Sequence, residues 1–185
     1  MHVLIHSPKG YPFTLRSLVK NDSGILGEFF ESLSPQTRSK FGPHPLDKEY
    51  AKYVICKNID VDNVSRFIIV TETQVVGYFI VDFNEYPNER SRYSSYGIEL
   101  DFALDPVFAP CIHDNYQGQG LASLGLDALL RYFDKSKIRS LVLMGGTQEP
   151  NLLARNLYKK FGFVEIGEFY TDYNRLNNVD MRLVR

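Results

Sequence analysis

The chain has little of what marks several large protein classes. Its 185 residues include only two cysteines, Cys56 and Cys111, too few for a disulfide scaffold. No apolar run approaches the ~20 residues that a membrane-spanning helix needs. The net charge is -1, from 21 Lys and Arg against 22 Asp and Glu, so there is no global basic field to attract nucleic acid. The opening Met1-His2-Val3-Leu4-Ile5-His6 lacks the basic and apolar regions of a secretory signal, and a reducing cytoplasm is the expected location. His2, His6, His44 and His113 come without a C-x-x-C, H-E-x-x-H or calcium-loop pattern, so no metal site is expected. No repeat, low-complexity stretch or long linker divides the sequence. A single domain over residues 1–185 is expected.

What is present is ordinary globular composition. Hydrophobic residues make up 44% and charged residues 23%, enough to build a core at this length. Strand-like segments open the chain at 2–5 and 13–18. Asp22 or Ser23 can cap a helix running to about Leu33, with Ile25, Leu26, Phe29, Phe30 and Leu33 on one stripe. Residues 34–45 are a loop rich in breakers, and a second helix is expected over 47–56. The β-branched and aromatic runs 66–71 and 75–81 read as a hairpin. Residues 96–104 read as another strand, with Glu99 and Asp101 on one face and Leu100, Phe102 and Leu104 on the other. A buried helix over 120–135, a strand over 139–144 and a helix over 152–161 follow. Strands at 164–170 and 179–184 close the sequence. This order implies an α/β or α+β sheet with helices packed on it.

Two segments carry the chemical signal. In Asn115-Tyr116-Gln117-Gly118-Gln119-Gly120-Leu121-Ala122-Ser123, glycines let the backbone approach a ligand with no Cβ in the way. Free N–H groups at the following helix start favour an anion such as a pyrophosphate. Alone, the segment reads equally as a loop-to-helix turn. It is not a P-loop, because G-x-x-x-x-G-K-[ST] is absent. Nor is it a dinucleotide fingerprint, because Ser123 stands at the third glycine position. In the second segment Asn151 can cap a helix on which Ala154, Leu157, Tyr158 and Phe161 share a face. Gly162 suits a left-handed C-terminal cap with Phe163 as its apolar contact. Alone, this is good helix grammar with Tyr158 in the core.

In this order, and about thirty residues apart, the two segments resemble the GNAT N-acetyltransferase superfamily. Gln117 to Ala122 is similar to its Q/R-x-x-G-x-G/A signature. Asn151, Ala154, Tyr158, Gly162 and Phe163 match its N-x-x-A-x-x-x-Y-x-x-x-G-F pattern. The resemblance implies a mixed, mostly antiparallel sheet of about six or seven strands, flanked by about four helices, with the fourth and fifth strands splayed. It implies acetyl-CoA as cosubstrate. Ile112 would lie on the strand that pairs with pantetheine, and Gln117, Gly118, Gln119, Gly120, Leu121, Ala122 and Ser123 would surround the pyrophosphate. Asn151 would contact the pantetheine arm and Tyr158 would face the thioester sulfur. One departure is Asp105-Pro106-Val107-Phe108-Ala109-Pro110-Cys111 before the glycine loop, which implies a bulge or a strand interrupted by two prolines.

Acetyl transfer to an amine needs a base and an acid. At pH 7 only about one in 2,500 lysine-like amines is neutral and nucleophilic. Glu99 and Asp101, ~6.6 Å apart on one strand face, are the candidate bases, against the alternative of a solvated polar face. Tyr158 is the candidate acid for the leaving thiolate. His113 lies beside the cradle, where a backbone-orienting role competes with proton transfer. Cys111 fits a buried structural thiol better than an acyl-enzyme nucleophile. Arg155 and Lys159 are candidates for the 3′-phosphate or a solvated face. The 34–45 loop, with Arg38, Lys40, Phe41 and His44, is expected to cover the acceptor site. The expected activity is N-acetyl transfer to a small-molecule or peptide amine, with no nucleic-acid or membrane partner and with a homodimer permitted. The alternatives are a non-catalytic acyl-CoA sensor and a protein-interaction domain.

Overall fold

The computed structural model describes residues 1–172 and 174–185. They form two compact units, Met1–Ile80 with Pro110–Asp134, and Val81–Ala109 with Lys135–Arg185.

In the first unit β1 (His2–His6) and β2 (Pro12–Ser17) form an antiparallel hairpin, with His2 opposite Arg16 and His6 opposite Pro12. β2 continues antiparallel onto β3 (Val64–Val70), with Leu15 opposite Ile69. β3 neighbours β4 (Val75–Asp82), whose residues are all buried. α1 (Ser23–Ser32) buries Leu26, Phe29 and Phe30, as its stripe requires. Asp22 does not cap it through its side chain. Its carboxylate accepts from the Val19 N–H at 2.9 Å and from two Arg16 nitrogens at 2.6 and 2.8 Å. A short helix, α2 (Pro35–Arg38), lies inside the breaker-rich loop, with Pro35 in its first turn and the Ser34 hydroxyl accepting from the Thr37 N–H at 3.2 Å. The helix expected over 47–56 begins as α3 (Lys48–Tyr50), capped by Asp47, and continues as a π-helical turn, Ala51–Cys56.

β5 (Val107–Ile112) enters this unit at Pro110, and the His113 N–H donates to the Val76 carbonyl at 2.9 Å. β5 is continuous through Pro110, so the expected interruption by two prolines does not occur; Pro106 simply precedes the strand. α5 (Leu121–Tyr132) buries Leu121, Leu126 and Leu129. It packs onto β4 through Gly125, where any Cβ would collide with the Phe79 ring.

In the second unit the first two residues of β5 pair in parallel with β6 (Ser140–Leu143), Val107 opposite Val142 and Phe108 opposite Leu143. β6 and the two-residue β7 (Thr147–Gln148) both pair antiparallel with β9 (Leu176–Val184). The bend between them is made by Gly145 and Gly146, both at φ +65. A Cβ at Gly146 would lie 2.8 Å from the Val179 carbonyl, so glycine is required there. β8 (Val164–Thr171) also pairs antiparallel with β9, with an irregularity between Glu165 and Gly167. Between β4 and β5 the chain forms α4 (Pro87–Ser95), and α6 (Leu152–Lys160) precedes β8.

The fold class is as expected, but the strands and helices are more numerous. Nine strands and six α-helices occur among the described residues, α2 and α3 being about one turn each. The strand expected over 96–104 does not form. Leu100 and Phe102 are buried with Tyr93, Val107 and Val142, yet the backbone from Asp101 to Asp105 is a turn, the Leu104 and Asp105 N–H groups donating to the Asp101 carbonyl. Asp105, fully buried, makes that turn by accepting from the Asp101 N–H at 3.0 Å. It also accepts from Arg139 Nε at 3.1 Å, the Ser140 hydroxyl at 2.5 Å and Arg182 at 3.3 Å. With these donors, burial of the charge is compensated and the turn outcompetes an extended strand.

Candidate active site

The glycine segment leads from β5 into α5. Ile112 ends the strand, Asp114–Tyr116 form a 3₁₀ turn, and Gly118 and Gly120 adopt left-handed φ of +71 and +78. Side chains rarely adopt this conformation, which explains both glycines. No side chain caps α5, so its first N–H groups keep no side-chain partner. A Cβ at Gly118 would meet nothing within 4 Å, so the loop is open there. The flanking glutamines are engaged within the protein, Gln117 by α2 as well as by its own loop. Gln117 Nε2 donates to the Thr37 hydroxyl and the Ile112 carbonyl, each at 3.0 Å, and Gln119 Nε2 donates to the Asn115 carbonyl at 3.0 Å. The Leu121 side chain belongs to the core, so it offers a ligand only its backbone; Ala122 and Ser123 are half-buried in the first turn.

Asp114, which the sequence reading passed over, ties this loop to the 34–38 segment. Its carboxylate accepts from the Ser34 N–H at 2.9 Å, the Ser34 hydroxyl at 2.5 Å and the Thr37 hydroxyl at 2.6 Å. Burial by itself raises a carboxyl pKa, but these donors outweigh it and hold Asp114 at about 2. His113 is buried and its Nδ1 accepts from the Asn115 N–H at 3.2 Å, the backbone-orienting role.

The loop expected to cover the acceptor spends most of its residues on its own shape. Arg38 donates to the carbonyls of Leu33, Leu46 and Phe30 at 3.2, 2.7 and 2.5 Å. His44 stacks on Tyr50 at 4.9 Å and packs edge-on against the Phe41 ring at 5.1 Å. Its Nδ1 lies 2.7 Å from the Pro45 carbonyl and its Nε2 3.3 Å from the Tyr78 hydroxyl. The carbonyl requires Nδ1 to donate, so Nε2 accepts the tyrosine proton. Burial lowers the His44 pKa to about 4, and the ring is neutral at pH 7. Lys40 is exposed.

In the second unit Asn151 caps α6, its Oδ1 accepting from the Ala154 N–H at 3.4 Å. Gly162, at φ +88, ends the helix, and the Phe163 N–H donates to the Tyr158 carbonyl at 3.0 Å. Tyr158 is 6% exposed and packs on Phe163 with ring centroids 5.3 Å apart. Arg155 and Lys159 are engaged by Glu165, at 2.7 and 2.9 Å, rather than standing as free cations.

Glu99 and Asp101 are not brought together on a strand face. Both are exposed, Glu99 accepting from the Ser94 hydroxyl and Asp101 from the Ala103 N–H at 3.1 Å. The reason for pairing them as bases falls with the strand. Cys111 and Cys56 are buried free thiols, pushed up by burial to about 12 and about 11. Neither is a ready nucleophile. Among the described residues no cluster of three His, Cys, Asp or Glu is arranged for a metal, and no helix is long and apolar enough to cross a membrane.

The profile of the acetyltransferase (GNAT) family matches residues 26–163. The chain belongs to this family. Its fold is similar to the GNAT domain of S. lividans PAT, with a TM-score of 0.73 at 15% identity over 100% of this chain and 97% of that one. It is also similar to the ribosomal-protein-S5-alanine acetyltransferase from Vibrio fischeri, with a TM-score of 0.74 at 12% identity over 98% and 96%. A third structure, the RimL ribosomal L7/L12 α-N-protein acetyltransferase in complex with coenzyme A, gives a TM-score of 0.70 at 14% identity over 98% of each chain. A search of curated proteins found no match.

Proposed function

We propose that the chain is an N-acetyltransferase that moves an acetyl group from acetyl-CoA to a primary amine, with residues 1–185 acting as one acyl-transfer domain. The observation that carries this reading is the uncapped start of α5 behind two left-handed glycines, in a chain of the GNAT family. Open space at Gly118 and the backbone donors of Gly120 to Ser123 suit a pyrophosphate. A protein side chain fills the same role at α6, where Asn151 is the cap. Acetyl-CoA supplies an activated acyl group on a thiolate leaving group.

The chain's residues then have these roles. Backbone of Gln117, Gly118, Gln119, Gly120, Leu121, Ala122 and Ser123 holds the pyrophosphate, and Ile112 and Asn151 take the pantetheine arm. The Tyr158 hydroxyl gives its proton to the departing sulfur, a role that suits a phenol still protonated at pH 7. Acceptors named for structures of this fold include a ribosomal-protein alanine and spermidine, and the proposed acceptor is an amine of that kind. The test is mass spectrometry of products from acetyl-CoA with spermidine, lysine amide and an alanine-initiated peptide. Acetylation on nitrogen is expected; acetylation only on oxygen, or none, contradicts the reading.

A further inference from the structure

With Glu99 and Asp101 exposed on a turn, the buried carboxylates of the second unit bear on proton transfer. They are Asp82, Glu89, Asp105 and Asp180. Three are fully engaged. Asp105 is bound by Arg139, Ser140 and Arg182. Asp180 takes the Arg92 guanidinium at 2.6 and 2.9 Å. Asp82 accepts from the Asn84 N–H, the Asn84 side chain and the Tyr86 hydroxyl at 2.8, 2.8 and 2.7 Å.

Glu89 differs. It is 8% exposed, and its Oε1 accepts from the Gly145 N–H at 3.1 Å. Arg92 comes only to 3.8 Å, its fork being spent on Asp180 and its face stacked on Phe169. Oε2 accepts no hydrogen bond from the described residues, yet it is not among their sealed, unsatisfied atoms. Glu89 is therefore anchored at one oxygen and available at the other. Its anchor lies just past the carboxyl end of β6, the strand that pairs in parallel with β5. In open sheets, ligands collect outside the carboxyl ends of such strands. A Cβ on Gly145 would meet nothing within 4 Å, so the turn that anchors Glu89 is open on its other side.

We propose that Glu89 is the general base that deprotonates the acceptor amine, an inference that rests on the acetyltransferase reading above. The acceptor ammonium gives one proton to the Glu89 carboxylate, directly or through one water. The freed nitrogen lone pair bonds to the thioester carbonyl carbon, the C–S bond breaks, and its electron pair stays on sulfur. Tyr158 protonates the sulfur and is restored by the second proton leaving nitrogen. Glu89 returns its proton to solvent, so one proton is released per turnover.

The test compares wild type with Glu89→Gln, whose amide oxygen can still accept from Gly145. The substrates are acetyl-CoA and the best acceptor among spermidine, lysine amide and an alanine-initiated peptide. At pH 7 kcat/KM should fall about 10²-fold, with the acetyl-CoA thermal shift unchanged. The deficit should shrink toward pH 9, because between pH 7 and 9 the neutral fraction rises about a hundredfold for a lysine-like amine and about tenfold for a peptide α-amine. A loss below tenfold at pH 7, or a loss equally large at pH 9, overturns the assignment and leaves Glu89 as an anchor for Gly145. A wild-type chain that acetylates none of the three amines overturns the acetyltransferase reading and this inference together.

Discussion

Ser34 donates both its backbone N–H, at 2.9 Å, and its hydroxyl, at 2.5 Å, to one carboxylate, that of Asp114. Ser34 caps α2, and Asp114 opens the turn before the glycine loop, so the 34–38 segment and the cradle are held as one structure. Asp114→Asn keeps the size and loses the charge. It should cost on the order of 2 kcal/mol, since hydrogen bonds to a charged acceptor are the stronger kind. The pH dependence follows from the sign of the shift. An unfolded aspartate titrates near 3.9 and folded Asp114 at about 2, so the folded state binds this proton less readily. Its stabilisation is present above about pH 4 and is lost as the pH falls toward 2. Thermal melts should show the gap between wild type and Asp114→Asn narrowing over that window.

Gly118 allows a cleaner test of the cradle than Gly120, where a Cβ would also press on Pro8 at 3.2 Å. Asn and Asp tolerate left-handed φ better than other side chains. They differ here by one negative charge. Gly118→Asn should keep most of the thermal shift produced by acetyl-CoA. Gly118→Asp should weaken binding at least tenfold, by placing a carboxylate against the pyrophosphate. Equal shifts in the two variants would remove the anion from this loop.

The extent to which the sequence revealed this molecule depended on how local each signal was. α5 was legible from its apolar periodicity behind the glycine loop, and α6 because a cap and a helix-ending glycine lie within a dozen or so neighbouring positions. Residues 96–104 were misread for a physical reason. Alternation reports that Leu100 and Phe102 are buried, and a turn buries them as well as a strand does. What selects the turn is Asp105, whose partners Arg139 and Arg182 lie 34 and 77 positions away. α4 escaped notice because it is polar, burying only Glu89 and Tyr93. Asp114 was invisible for the reason Asp105 was: its partner Ser34 is 80 positions away. The Ser34-Pro35 pair, a cap followed by a first-turn proline, was the local clue to α2.

Tyr158→Phe keeps the ring packed on Phe163 and removes one hydroxyl. If that hydroxyl protonates the leaving thiolate, turnover should fall about 10²-fold while acetyl-CoA affinity stays within a few-fold. A purely structural hydroxyl would instead cost about 0.5–1.5 kcal/mol of stability and leave turnover unchanged. Turnover and denaturation midpoint measured on one preparation separate the two.

Cys111 and Cys56 should resist alkylation in the folded chain, because burial raises both thiols to about 12 and about 11. Iodoacetamide at pH 8 followed by intact-mass analysis should find neither modified until denaturant is added. Rapid labelling of Cys111 in the native state would reopen a covalent acyl-enzyme route.

The central claim is direct transfer of acetyl from acetyl-CoA to an amine, and the stoichiometry of thiol release tests it most directly. The chain is first incubated with acetyl-CoA alone, then with the amine panel, while free thiol, acetylated product and intact protein mass are followed. Direct transfer predicts negligible thiol before the amine, one thiol per acetylated nitrogen after it, and no acetylated protein at any time. Thiol release that needs no amine, a protein carrying the acetyl group, or no release with any amine would contradict it.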